Sequence, residues 1–99
     1  MKSQKDTPVV REAEETAVAI LGWLAGEPEL LSRFLALTGV APSEVRNAVD
    51  DPGFLAGIVD FLMGHEPTLL AFTAATGMQP EAVVRAHEIL SGPYGSHDF

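Results

Sequence analysis

A stretch of fifteen residues occurs twice in this chain, and the repetition restricts the fold more than any other feature. Residues 34–48 read FLALTGVAPSEVRNA and residues 72–86 read FTAATGMQPEAVVRA, an offset of 38 positions. Both copies contain the sequence Thr-Gly-x-x-Pro, at 38–42 and at 76–80. The glycine suits the end of a helix, where φ becomes positive, and the proline suits the first turn of the next helix, where its missing N–H costs nothing. Each copy therefore predicts a helix, a short corner and a second helix.

Apolar residues recur at helical spacing through the rest of the chain, and no segment shows the period-two alternation that is typical of a strand. This pattern predicts an all-α protein. The six predicted helices are residues 9–25, 27–38, 42–49, 52–63, 66–76 and 80–91.

The offset of 38 positions extends to the first helix of each half, because residues 13–50 align with residues 51–88 without a gap. We therefore expect a compact six-helix bundle built from two pseudo-symmetric three-helix repeats, which pack face to face around one core. A chain of 99 residues is expected to form one domain. That domain is predicted at 9–91, between flexible tails at 1–8 and 92–99.

Helical spacing also predicts which side chains face the core. Trp23, the only tryptophan, is interpreted as a core residue of the first helix rather than a ligand platform. For the second and fifth helices the predicted core residues are Leu30, Leu31, Phe34, Leu35, Leu37, Thr38, Leu69, Leu70, Phe72 and Thr73.

The charge balance excludes several classes of partner. Fourteen acidic residues stand against six basic ones, and the net charge is −8. Nucleic acids and anionic membrane surfaces are bound through clustered lysine and arginine, so neither is an expected partner. The chain shows neither a secretory leader nor a run of about 20 apolar residues that could span a membrane, and the expected location is the cytoplasm.

The sequence offers no constellation of residues that is typical of an enzyme. Without cysteine there is no disulfide, thiolate nucleophile or thiolate metal site. His65, His87 and His97 lack the spacing of a metal site, and the acidic groups at 12–15 and 50–51 are interpreted as a solvated face and a helix cap. We therefore predict no catalytic residue, no metal and no cofactor.

The order of short motifs along residues 12–90 resembles a family of small bacterial proteins catalogued as a domain of unknown function. The motifs are L-x-W-L, E-P-x-L-L-x-R-F-L-A-L-T-G-x-x-P, D-P-x-F-L and T-G-x-x-P-E-x-V. They are specific as a set and unspecific singly. The resemblance implies an all-helical bacterial protein, and it brings no activity, cofactor or catalytic residue.

The function expected from these observations is a non-catalytic interaction or regulatory module that binds another protein or a second copy of itself. Val18 and Val84 point away from the apolar stripes of their helices, so we expect them to border a recognition patch. Met63 and Met78, at helix ends, are expected to add adaptable apolar surface to that patch.

Two further hypotheses remain open. Arg33 either pairs with Glu29 on its own helix or anchors a carboxylate of a partner, and a small-ligand pocket or enzyme site between the halves would use Arg33, His65 or His87. The helix-corner-helix outline also resembles a DNA-binding motif. Residues 42–51, which hold its second helix and the two residues after it, carry one arginine and three acids, so a DNA-acting regulator is the weakest alternative.

Overall fold

Six α-helices and one short 3-10 turn make up the computed structural model, which describes residues 8–91 and contains no strand in that range. The all-α prediction is confirmed. The predicted tails and His97 lie outside the described residues, except for Pro8, which begins the first helix. The elements are α1 Pro8–Leu24, α2 Pro28–Thr38, a 3-10 turn Pro42–Glu44, α3 Val45–Ala48, α4 Pro52–Met63, α5 Glu66–Thr76 and α6 Pro80–Ser91.

The starts of α2, of the 3-10 turn, of α4 and of α5 follow from a proline in the first or second helical position, where the fixed φ of proline suits a helix. The start of α4 has a side-chain cap as well. Asp51 Oδ1 accepts a hydrogen bond from the backbone N–H of Gly53 at 2.9 Å, as the sequence predicts for this aspartate.

The two Thr-Gly corners have nearly the same geometry. Gly39 ends α2 with a φ of 76° and Gly77 ends α5 with a φ of 77°. In each corner the hydroxyl oxygen of the preceding threonine accepts from the amide of the residue after the glycine, at 3.3 Å and 3.2 Å. The threonine and glycine thus satisfy groups that a helix end leaves without intrahelical partners.

The core lies where α1, α4 and α6 pack against one another, and these three helices make the most extensive contacts in the protein. Edge-on aromatic contacts join α2 and α5 to them. The ring centroids of Phe34 and Phe61 are 5.3 Å apart, and those of Trp23 and Phe72 are 5.6 Å apart. The side chains that are fully shielded from solvent include Ala17, Ile20, Leu24, Ile58, Val59, Leu62, Phe72 and Val83.

The two halves use their third helices differently. The helices α2 and α5 begin and end 38 residues apart, but α3 has only 4 residues whereas α6 has 12. The longer α6 packs on both α1 and α4, while α3 makes few contacts with the other helices. The pseudo-symmetric arrangement of the halves therefore stays a prediction.

Three predicted core residues lie on the surface. Leu37 of α2 is 71% exposed and Leu70 of α5 is 52% exposed, so their assignment to the core is wrong. The same holds for Thr38, which is exposed because it ends α2, where its hydroxyl hydrogen-bonds to backbone groups of the corner. On an ideal helix Leu37 is about 110° from the midpoint of the buried pair Phe34–Leu35, and Leu70 is about 160° from Phe72. The angular position on the helix, and not apolar character, decides that these two leucines are exposed.

No single helix between residues 8 and 91 is long and apolar enough to cross a membrane. The helices α4 and α5 reach the required length and composition only together, and they are bent by 102° at the break between them.

Replacing the corner glycines tests their role as helix ends. We expect Gly39→Val and Gly77→Val each to lower the free energy of unfolding by about 1–2 kcal/mol, because a side chain is strained at positive φ. Neither glycine has an atom within 4 Å of the position of an added Cβ, so the loss would come from the backbone alone. Urea denaturation measures it. Wild-type stability of either variant would contradict this role.

Separating the halves tests whether the core needs both. Residues 1–50 supply α1, whereas α4 and α6 come from residues 51–99, so neither fragment can form the central three-helix packing. We expect no cooperative melt by circular dichroism from either fragment, and a gain of helical signal when the two are mixed in equal amounts. A cooperative melt of one fragment alone would mean that it holds an autonomous core.

Candidate functional sites

An open groove of about 510 Å³ lies between α1, α2 and the segment from the 3-10 turn to the end of α3. We call it the apolar groove. Arg46 is the one charged residue among those that line it, and the rest are apolar or glycine. The lining residues are Val18, Leu21, Gly22, Ala25, Leu31, Leu35, Pro42, Val45, Arg46 and Val49.

The groove stays open because of small residues at the end of α1 and the shortness of α3. Gly22 of α1 and Ala25, the residue after α1, line it, and at the positions 38 residues later the chain has Asp60 and Met63. In the second half a full-length α6 packs against α4, and its Val83 is completely buried. The corresponding Val45 of α3 is only half-buried. The first half therefore leaves exposed an apolar face that the second half covers.

The apolar groove continues into a depression of about 330 Å³ that carries carboxylates. Val18 and Val49 border both spaces, and the depression is also lined by Arg11, Glu14 and Glu15. A ligand lying along the groove would therefore meet apolar side chains first and acidic groups at one end.

A second space, of about 310 Å³, lies between α2, α4 and the start of α5. We call it the polar cleft. It brings a guanidinium, a carboxylate and an imidazole to the same opening, with leucine and phenylalanine beside them. The lining residues are Arg33, Leu37, Asp60, Phe61, Gly64, His65 and Thr68.

Two hydrogen-bonded pairs fix the side chains around the polar cleft. His65 Nδ1 lies 2.6 Å from Thr68 Oγ1, and the hydroxyl donates when that nitrogen is unprotonated and accepts when it is protonated. Thr68 is only 4% exposed, so this contact anchors the imidazole to the protein interior. On the other side, His87 Nε2 of α6 lies 3.3 Å from Asp60 Oδ1.

The arginine of the polar cleft has its charge available. Within residues 8–91 Arg33 has no ion pair, so the predicted pairing with Glu29 is absent there. Arg33 and Asp60 also form no ion pair with each other, although both line the cleft. The alternative hypothesis names a pocket that uses Arg33, His65 or His87. Arg33 and His65 line the polar cleft, and His87 contacts it through its hydrogen bond to Asp60.

The five residues proposed as contact residues do not all line one space. Val18, 50% exposed, lines the apolar groove, and Arg33 lines the polar cleft. Val84 is 37% exposed on α6 and lines neither space. Met63 and Met78 are half-buried and pack against the core. Their role in binding stays a prediction.

Sequence reasoning missed the groove itself. Helical spacing predicts Leu31 and Leu35 as core residues, and both line the groove, with Leu35 also buried in the core as predicted. The available signal was the pair of small residues on the first helix, at positions where the second copy has larger ones. Among residues 8–91 no group of three or more His, Asp or Glu side chains is arranged to hold a metal ion.

Comparison with known proteins gives one match. A family model described as "Protein of unknown function (DUF3572)" matches residues 10–93. Searches of the curated proteins and of the solved structures gave no significant match. The matched range covers all the helices except the first two residues of α1. The chain therefore belongs to the DUF3572 family.

Proposed function

We propose that this protein is a non-catalytic interaction module whose apolar groove binds an amphipathic helix of another protein, with basic residues at one end of that helix. The observation that carries the proposal is a groove of about 510 Å³ lined almost entirely by apolar residues and open to solvent. Water in contact with such a surface is released when an apolar face covers it, and this release favours binding.

The shape of the groove favours a helix as the occupant. Its walls are themselves helices, α1 and α2, with α3 beside them. A helix laid between such walls presents side chains at i, i+3, i+4 and i+7 to one stripe, which is a common form of helix recognition. Except at its two ends, the backbone groups of a bound helix are satisfied internally, so the groove needs no polar lining along most of its length.

Charge favours a basic foreign partner over a second copy of the chain. Two copies would each bring a net charge of −8, and their repulsion opposes association. Glu14 and Glu15 outnumber Arg11 in the depression that continues the groove, so they would attract lysine or arginine on the bound helix. Arg46, in the groove itself, favours an acidic or neutral residue near it. These opposite preferences would fix the direction of the bound helix.

The glycine at position 22 supports the proposal that a partner helix occupies the groove. It lies in the last turn of α1, where glycine is less stable than alanine by up to about 1 kcal/mol. A Cβ added there would meet nothing within 4 Å, so packing within the described chain does not require glycine. Close approach of a bound helix would explain why the groove has no side chain at this point.

We also propose that the two halves are pseudo-symmetric repeats. The 38-residue offset of α2 and α5 and the matching glycines, with φ of 76° and 77°, support this relation. The apolar groove is then the place where the first half departs from the second, because α3 is short where α6 is long. The partner helix would cover in the first half what α6 covers in the second.

A designed peptide tests the groove directly. The probe is a labelled amphipathic helix of about 16 residues with leucines on one face and lysines at one end, and its affinity is measured by fluorescence anisotropy. We expect Val18→Lys to weaken its binding by about tenfold or more, because a charge would enter the apolar contact and repel the lysines.

Val84→Lys is the matched control for this experiment. It makes the same change of charge at an exposed valine that lines neither space, so a purely electrostatic attraction to the acidic protein would fall equally in both variants. The proposal expects near wild-type binding by Val84→Lys. Equal losses in the two variants, or no binding by the wild type, would overturn it. Circular dichroism verifies that both variants are folded.

Substituting helix glycines separates stability from binding. Gly22→Ala and Gly57→Ala are both expected to raise the free energy of unfolding, by up to about 1 kcal/mol, since neither added Cβ meets an atom within 4 Å. Only Gly22→Ala should weaken the binding of the peptide, by several-fold, because Gly57 is in α4 and does not line the groove. Urea denaturation and anisotropy give the two readouts. A loss of stability in Gly22→Ala would show that α1 needs glycine for its own structure.

A further inference from the structure

The polar cleft holds two opposite charges that face one opening without joining. Arg33 extends from α2 and Asp60 from α4, and the two form no ion pair with each other. Neither residue is buried. The space between them is part of a cleft of about 310 Å³, which is the lower end of the range for small-molecule sites.

Each of the two charged groups has hydrogen-bonding capacity to spare. The guanidinium of Arg33 carries five N–H donors in a planar fork, and no partner for them occurs within residues 8–91. Asp60 uses Oδ1 toward His87 Nε2 and keeps the other carboxylate oxygen. His87 comes from α6, so this contact joins the carboxylate at the cleft to a third helix.

An apolar wall lies beside the two charges. Leu37 is 71% exposed, the highest exposure among the large apolar residues of the described chain, and it lines the polar cleft together with the half-buried Phe61. An exposed leucine alone means little, but here it stands one helical turn after Arg33. A ligand held by the arginine would therefore also contact this leucine.

His65 adds a fixed polar group to the same wall. Its Nδ1 is engaged by Thr68 at 2.6 Å, and Thr68 is 96% shielded from solvent, so the imidazole cannot turn without breaking a contact to the interior. The other ring nitrogen remains able to hydrogen-bond with a ligand. It donates or accepts according to which nitrogen carries the proton.

We propose that the polar cleft binds a free α-amino acid with an apolar side chain. Its carboxylate is held by the Arg33 fork, its ammonium by Asp60, and its side chain by Leu37 and Phe61. A ligand with only one charge would leave either the Arg33 fork or the second carboxylate oxygen of Asp60 without a partner. The end of a polypeptide carries one of the two charges, so the pair selects the free amino acid. The site is separate from the apolar groove and does not depend on the function proposed for it.

Three small probes test the two charges separately. L-phenylalanine carries both, phenylacetate lacks the ammonium, and phenethylamine lacks the carboxylate. Titrations followed by amide chemical shifts are expected to give a Kd of about 1 mM for phenylalanine, typical of a ligand of this size in an open site, with shifts at Arg33, Leu37 and His65. Each single-charge probe is expected to bind at least about fivefold more weakly, since one ionic contact is lost.

Arg33→Gln and Arg85→Gln form the matched pair of variants. Both remove an exposed arginine from a helix, but Arg85 does not line the polar cleft. The proposal expects Arg33→Gln to weaken the binding of phenylalanine about tenfold without changing the melting temperature. Arg85→Gln is expected to bind phenylalanine as the wild type does. Arg33→Gln should also leave the binding of the helical peptide to the apolar groove unchanged.

Three results would overturn the proposal. The first is an absence of chemical-shift changes in the cleft at about 20 mM phenylalanine, a concentration well above the expected Kd. The second is binding of phenylacetate as strong as that of phenylalanine. The third is an equal loss of phenylalanine affinity in the two arginine variants. Equal binding by phenylacetate would show a site for apolar carboxylates, in which Asp60 has no part. Equal losses in both variants would show a general response to the charge of the protein.

Discussion

The structure depends on covering α4, a helix with apolar residues on most of its circumference. Ile58, Val59 and Leu62 are fully buried, and no other helix of the described chain has so high a mean hydrophobic character along its length. A helix of this kind is stable in water only when neighbours enclose it. The helices α1 and α6 do this from either side, so the first helix of one half and the last helix of the other are held together across the middle of the chain.

That requirement explains the unequal halves. Because α6 is needed against both α1 and α4, it is long and carries a continuous stripe of Val83, Ala86 and Leu90. The short α3 does not pack between two other helices in this way. Val45 at its start and Val49, the residue after it, remain half-buried at the edge of the apolar groove. The polar cleft lies elsewhere, between α2 and the junction of α4 and α5.

The local elements were predictable from sequence because short-range chemistry determines them. The left-handed glycines, the Asp51 cap and the helix starts at proline each depend on a few neighbouring residues. The exposure of Leu37 and Leu70 depends instead on how helices are placed in space, which periodicity alone does not give. In the other copy of the repeat the residues at these positions are Ala75 and Ser32. A small or polar residue in one copy indicates that the position does not need a large apolar side chain, which apolar character in a single copy does not show. Arg33 and His65, two of the three residues that the pocket hypothesis names, line the polar cleft, whereas no residue pattern predicts the groove, which depends on the length of α3.

The brevity of α3 also has a consequence for motion. A four-residue helix with few contacts to the rest of the protein opens locally at a lower free energy than the three central helices, which open only with the core. Its backbone amides should exchange with solvent deuterium well before those of α4. One wall of the apolar groove is therefore the softest element of the described chain, and the width of the groove can adjust to side chains of different size while the core stays closed.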